Sequence, residues 1–153
     1  MRKKPEIRQY AALPIDLSSG EPRIVLVTSR TTGRWIVPKG RPEPGLPGHE
    51  VARREAFEEA GLIGTVSHKS LGSFIGPKGQ GSDAITARVF VYPFRVSTYL
   101  DDFPEKGQRE IRPVSFLDAL MLLSDGGLIS LLLRNEHRLV DVLPPLAAVG
   151  ADL

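Results

Sequence analysis

The segment PKGRPEPGLPG, residues 38–48, carries four prolines and three glycines in eleven positions. Proline fixes φ and removes a backbone donor, and glycine weakens helix and strand alike. No regular element is expected to run through it, so it reads as a loop shaped by its own backbone. It divides the chain. Before it stand strand signals: IRQYAALPI at 7–15, the β-branched run RIVLVTS at 23–29 after the turn cluster LSSGEP, and WIV at 35–37, returned by TTGR as a hairpin partner. After it stands a helical pattern from 48 to 60, with Val51, Ala52, Ala56 and Ala60 as its apolar side and Gly61 as its stop.

Farther on, GTVSHKSLGSFI (64–75) and AITARVFVYPFRV (84–96) read as two strands joined by the polar loop GPKGQGSD. In the second, Val89, Val91 and Pro93 alternate with Phe90, Tyr92 and Phe94, so each set takes one face. A charged loop, YLDDFPEKGQRE at 99–110, leads to a short strand, IRPVSF at 111–116. Ser115 opens a capping pattern before LDALMLL. A last helix is expected from Leu128 through SLLLRNEHRLVDVL, and the tail at 144–153 reads as loosely held. Strands, one helix, strands and then helices predict a single domain over 1–153, of the α/β (α+β) class, in layers. At 153 residues the chain can bury a sizeable core.

The chain has no cysteine, which excludes disulfides, thiolate catalysis and cysteine-based zinc sites. His49, His68 and His137 have no metal-ligand spacing and read as surface residues. No nucleophile elbow, Walker A or dinucleotide-binding glycine pattern is present. The longest apolar stretches, such as LISLLL at 128–133, are too short to span a bilayer, and MRKKPEIRQY lacks the apolar core of a secretory signal. A cytoplasmic protein without a membrane partner is expected. The net charge of +2 and pI near 9.1 suit a polyanionic ligand. Basic and aromatic residues do not cluster along the chain, so no stable nucleic-acid partner is expected.

The stretch RREAFEEAGL, 53–62, poses a problem of charge. Glu55, Glu58 and Glu59 share one helix face, at the end where the backbone dipole disfavours anions. Each like-charge pair at this spacing costs about 0.2–0.5 kcal/mol. An acidic helix end is ordinarily a solvated face, here with Arg54 pairing Glu50 and Glu58. A hard divalent cation inverts the penalty, since Mg²⁺ or Mn²⁺ takes oxygen ligands and bridges to phosphate. Glu55 and Glu59, one turn apart, can grip such an ion together. Without it, carboxylates this close cannot all ionise, and one should have a raised pKa.

The whole stretch from Gly40 to Leu62 resembles the Nudix box, G-x5-E-x7-R-E-U-x-E-E-x-G-U, with U aliphatic. Gly40, Arg54, Glu55, Ala56, Glu58, Glu59, Gly61 and Leu62 fall at the motif's spacing. RWIVPKG before the box and the flanking strands look like the branch that contains the diphosphoinositol polyphosphate phosphohydrolases, over Ile7 to Leu133. The resemblance implies an α/β/α sandwich with a mixed β-sheet that hydrolyses pyrophosphates, either nucleoside diphosphate-linked or diphosphoinositol polyphosphate-type. It implies Mg²⁺ (or Mn²⁺) held by Glu55, Glu59 and the Gly40 carbonyl. Glu58 would be a further ligand or the catalytic base, and Arg54 would orient the carboxylates. One position departs: Leu46 stands where the motif has glutamate, leaving Glu43 or Glu50 to anchor Arg54.

The expected mechanism is in-line attack of a metal-activated water on phosphorus. Glu58 is the expected general base, with Glu105 and Glu110 as runners-up. Arg30, Arg34 and Lys39 flank the box, and by position in the resembling branch Arg8, Arg34 and Arg109 meet phosphate; the substrate contacts are expected from Arg8, Arg34, Lys39 and Arg109. Trp35 reads as hairpin packing. The alternative is a binding or regulatory module with weak chemistry, which Leu46 favours and the three glutamates disfavour.

Overall fold

The computed structural model describes residues 6–78 and 85–147. Residues 79–83 of the expected 76–83 loop and the last six residues of the tail lie outside them. The elements are β1 (Glu6–Asp16), β2 (Arg23–Thr28), β3 (Trp35–Ile36), β4 (Lys39–Gly40), α1 (Gly48–Ala60), β5 (Leu62–Val66), β6 (Gly72–Lys78), β7 (Ile85–Tyr99), β8 (Ile111–Ser115), α2 (Phe116–Leu122) and α3 (Gly126–Asn135), closed by a 3₁₀ turn at Glu136–Arg138.

All strands join one mixed sheet. Its axis is the parallel pair β1 and β7, in register from Glu6 opposite Thr86 to Ile15 opposite Arg95. β5 and β6 pair antiparallel with the two halves of β7. β1 meets β2 only at Ile15 and Asp16, then carries β4 beside Tyr10 and Ala11. β2 holds β3 and β8. Period-2 alternation gives the sheet two apolar faces. Ala11, Leu13, Ile15, Ile24, Leu26, Val89 and Val91 pack with residues of α2 and α3 such as Ala119, Leu128, Leu131 and Leu132. Ala12, Val25, Val27, Phe94 and Val96 pack with Ala52, Ala56 and Ala60 of α1. The result is an α/β/α sandwich. The alanine-faced α1 lets the helix lie close to the sheet, which carries Glu59 of its last turn inward.

Several expected boundaries are corrected. Lys39 and Gly40 make strand pairs inside the proline-rich segment, because no proline occupies those two positions and β1 offers an open edge to them. The stretch 64–75 is two strands, because Ser67 turns the chain through side-chain contacts with Lys69. The last helix starts at Gly126, capped by Asp125, and ends at Asn135. The tail, as far as it is described, returns to β5, where the Ala147 N–H donates to Thr65 Oγ1 at 3.3 Å. Ser115 caps α2 as expected, accepting from the Asp118 N–H. Among the described residues no helix is long and apolar enough to cross a membrane.

Candidate active site

Pro47 precedes α1 without a side-chain cap, and Gly61 ends it in the left-handed conformation at φ 66°, its N–H reaching Ala56 and Phe57 carbonyls. The last turn holds no basic residue. Glu59 is nonetheless only 3% exposed. Its carboxyl lies against that of Glu55, one turn earlier, so that either one, once protonated, can donate to the other. Burial pushes the Glu59 carboxyl up to about 9, the Glu55 carboxyl adds to the rise, and Arg109 opposes it. Burial also raises Glu55, with the charges of Glu58, Glu105 and Glu43 adding and the bond from Glu59 opposing. The pair therefore shares a proton at neutral pH unless a cation replaces it.

Gly40 closes this pair from the sheet side. A Cβ at that position would run into the Glu55 carboxylate, so only glycine lets the β4 backbone approach so near. Glu58 points outward, with its side chain 34% exposed. Its carbonyl accepts from the Glu105 N–H at 2.9 Å, which ties the 100–110 loop to the helix.

Arg109 sits differently from its expected role. Its side chain is 9% exposed and reaches Glu59 at 3.5 Å and Glu105 at 3.2 Å. It also donates to the Thr28 carbonyl at 3.0 Å. These donors hold carboxylates in place. Arg30 adds a second contact to Glu105 at 3.5 Å and donates to Gln108. Glu110 pairs with Arg112 at 3.8 Å, its side chain 71% exposed.

Arg54 bonds Glu43 at 2.7 Å and lies 4.0 Å from Glu58. Glu50 is taken by Arg53 at 2.9 Å, which corrects the expected Arg54–Glu50 pair. Of the two candidates to replace the glutamate missing at Leu46, it is Glu43 that meets Arg54.

On the other face of β1 a cleft of about 380 Å³ is lined by Gln9, Arg34, Lys39, Phe74, Lys78 and Asp125, among others. Three cations thus line one cleft, and one of them, Lys39, precedes Gly40 in β4. Burial lowers the Lys39 ammonium, while Asp125 and Glu59 act to raise it and Arg34 to lower it. Burial likewise lowers Lys78, with Arg41 and Lys39 adding. Arg8 is not part of this cleft; it is exposed, with its guanidinium 5.5 Å from the Phe90 ring centre. Trp35 packs in the hairpin under Arg112, 4.7 Å away. His49 and His68, nineteen positions apart, stack at 4.0 Å, His68 exposed and His49 half-buried with its ring 6.4 Å from that of Tyr92.

Among the described residues, no group of three or more acidic or histidine side chains is placed to hold an ion. Mg²⁺ and Mn²⁺ do not require one. They bind through one or two carboxylates and keep waters for the remaining positions. A proton-sharing carboxyl pair with the Gly40 backbone close against Glu55 fits that donor set.

A NUDIX domain model matches residues 7–130. Diphosphoinositol polyphosphate phosphohydrolase 3-beta of Bos taurus is 38% identical over 89 residues, which are 58% of this chain and 51% of that protein. Nudix hydrolase 12, mitochondrial, of Arabidopsis thaliana is 30% identical over 103 residues, 65% of this chain and 51% of its own. The chain spans about half the length of the curated relatives it matches. Among solved structures, a C. elegans Ap4A hydrolase aligns with a TM-score of 0.62 at 17% identity, over 88% of this chain and 99% of that one. The NUDIX domain of Shewanella oneidensis NrtR, complexed with ADP ribose, aligns with a TM-score of 0.66 at 12% identity, over 88% and 90%. What these two structures share with this chain is the fold.

Proposed function

This chain belongs to the NUDIX family, and on that premise we propose that it is a divalent-metal-dependent hydrolase of phosphoanhydride bonds. The substrate is a small polyphosphate, nucleoside-linked or of the diphosphoinositol polyphosphate type. The observation that carries this reading is the pair of buried Glu59 and half-buried Glu55, which can ionise fully only beside a cation, together with a cleft lined by three basic residues. The relatives' names point the same way, since diphosphoinositol polyphosphate and Ap4A each carry several phosphates.

Glu55, Glu59 and the Gly40 carbonyl would hold Mg²⁺ or Mn²⁺, with Glu58 beside them. The ion, when bound, supplies Lewis acidity toward phosphate oxygens and water. Arg109 keeps the Glu59 carboxylate aimed. Arg54, anchored on Glu43, limits the motion of Glu58. Glu58 is partly exposed and, among the described residues, meets a single cation, at 4.0 Å; Glu105 is occupied by two arginines and Glu110 stands outside on Arg112, which makes Glu58 the favoured general base. Arg34, Lys39 and Lys78 bind and orient the phosphates.

A phosphate-release screen over nucleoside polyphosphates, nucleotide sugars and diphosphoinositol polyphosphates, with Mg²⁺ and with Mn²⁺, tests the reading. Turnover of one class well above the rest supports it. Tight binding with no turnover of any would instead make this a binding module.

Two substitutions separate the parts. Arg34→Ala removes one phosphate contact and should lower kcat/KM about tenfold or more, while sparing the metal-induced rise in melting temperature. A change within about twofold would remove Arg34 from the phosphate wall. Leu46→Glu should leave kcat/KM within about twofold, because Glu43 already holds Arg54. Glu43→Gln should lower it several-fold, and Leu46→Glu should restore part of that loss. If Leu46→Glu alone strongly raises activity, Glu43 is not the anchor.

A further inference from the structure

Asp125 is the N-cap of α3. Its Oδ1 accepts from the Gly127 N–H at 3.0 Å and the Leu128 N–H at 3.5 Å. Capping accounts for one oxygen only. Oδ2 lies toward Gly76 of β6, where an added Cβ would come within 2.8 Å of it. The glycine thereby leaves space for the carboxylate at the edge of the cleft. Among the described residues lining that cleft, Asp125 is the one acid, facing Arg34, Lys39 and Lys78. Serine or asparagine caps a helix as well as aspartate does, so the cap does not explain the charge. A carboxylate oxygen accepts hydrogen bonds and donates none. It also repels phosphate, which is the opposite of what the rest of the cleft does.

We propose that Asp125 is a specificity-determining residue: the substrate places its phosphates on Arg34, Lys39 and Lys78 and a hydroxyl or amine donor on Asp125 Oδ2. The proposal rests on the hydrolase reading and narrows its substrate class. The favoured compounds join a pyrophosphate to a hydroxyl-bearing sugar or nucleoside. A ring bearing phosphate at every carbon brings an anion to the Asp125 wall and is disfavoured.

The test is equilibrium titration of the full chain without divalent metal, so that no hydrolysis intervenes. The probes are ADP-ribose, with free ribose hydroxyls, and inositol hexakisphosphate, with none. Asp125→Asn keeps an oxygen for the cap and turns the other atom into a donor; Asp125→Ser keeps the cap and removes the second oxygen. Both variants should bind ADP-ribose about tenfold or more weakly than the parent. Inositol hexakisphosphate should bind them as well as or better than the parent. Equal shifts for both probes, changes within about twofold, or a parent that binds neither would overturn the proposal. A parent that binds as expected yet hydrolyses no pyrophosphate with metal present would instead sink the hydrolase reading and leave the role of Asp125 standing.

Discussion

Glu59→Gln is expected to abolish the rise in melting temperature that Mg²⁺ or Mn²⁺ produces, and to lower kcat/KM by about a thousandfold. A ligand that binds only the folded state stabilises it by mass action, so losing a principal metal ligand removes the shift. The catalytic loss follows from the several kcal/mol of charge stabilisation that the ion contributes. The substitution should not unfold the protein, because the neutral amide resembles the protonated state that Glu59 already prefers. Without metal it should even stabilise the fold in alkaline solution. The Glu59 carboxyl is raised from 4.5 to about 9 on folding. Between these values the unfolded chain releases its proton and the folded protein keeps it. Stability from this group therefore falls as pH rises through that window. Glu59→Gln should flatten this slope in metal-free melts recorded from pH 5 to pH 9. A variant that responds to metal as the parent does would remove Glu59 from the ligand set.

Arg109→Ala is expected to lower the melting temperature by about 5–10 °C. The side chain is nearly buried and is shared by Glu59, Glu105 and the Thr28 carbonyl. Removing it strands Glu59 and a carbonyl and leaves Glu105 with Arg30, at a cost of about 2–3 kcal/mol. In a chain of this size each kcal/mol moves the midpoint by about 2–4 °C. The pairing cation also holds the Glu59 pKa down, so its loss strengthens the proton that metal must displace. The metal response should then require a higher pH. A surface phosphate clamp behaves otherwise, with kcat/KM falling and melting temperature unchanged. Thermal melts with and without Mg²⁺ separate the two, and an unchanged midpoint would return Arg109 to the phosphate wall.

The parts of this site that were legible in the sequence are those written in local spacing. The run from Arg54 to Leu62 fixes helix, stop and acidic face within ten residues, and the structure places Glu55 and Glu59 in contact. Val51, Ala52, Ala56 and Ala60 are all buried as their period requires. The β strands 7–15 and 23–29 were readable for the same reason. What escaped depends on partners far along the chain. Arg109 and an idle surface arginine look alike in sequence; the difference is the Thr28 carbonyl, 81 positions away. Glu43 and Glu50 were both in reach of Arg54 until the fold of the proline-rich loop brought in one of them. Arg8 follows the same alternation as Tyr10 and Ala12 and faces the α1 side, away from the cleft. Asp125 was hidden because the helix it caps begins with two glycines, which weaken the helical pattern.

The central claim is that Glu55, Glu59 and Gly40 hold a divalent ion at the edge of a phosphate-binding cleft. Diffraction at the manganese edge, from crystals grown with Mn²⁺ and a methylene-bridged pyrophosphate analogue, tests it most directly. The account predicts an anomalous peak bounded by the Glu55 and Glu59 carboxylates and the Gly40 carbonyl, with the analogue's phosphates on Arg34 and Lys39. A peak elsewhere, or none in crystals where the analogue is bound, would contradict it.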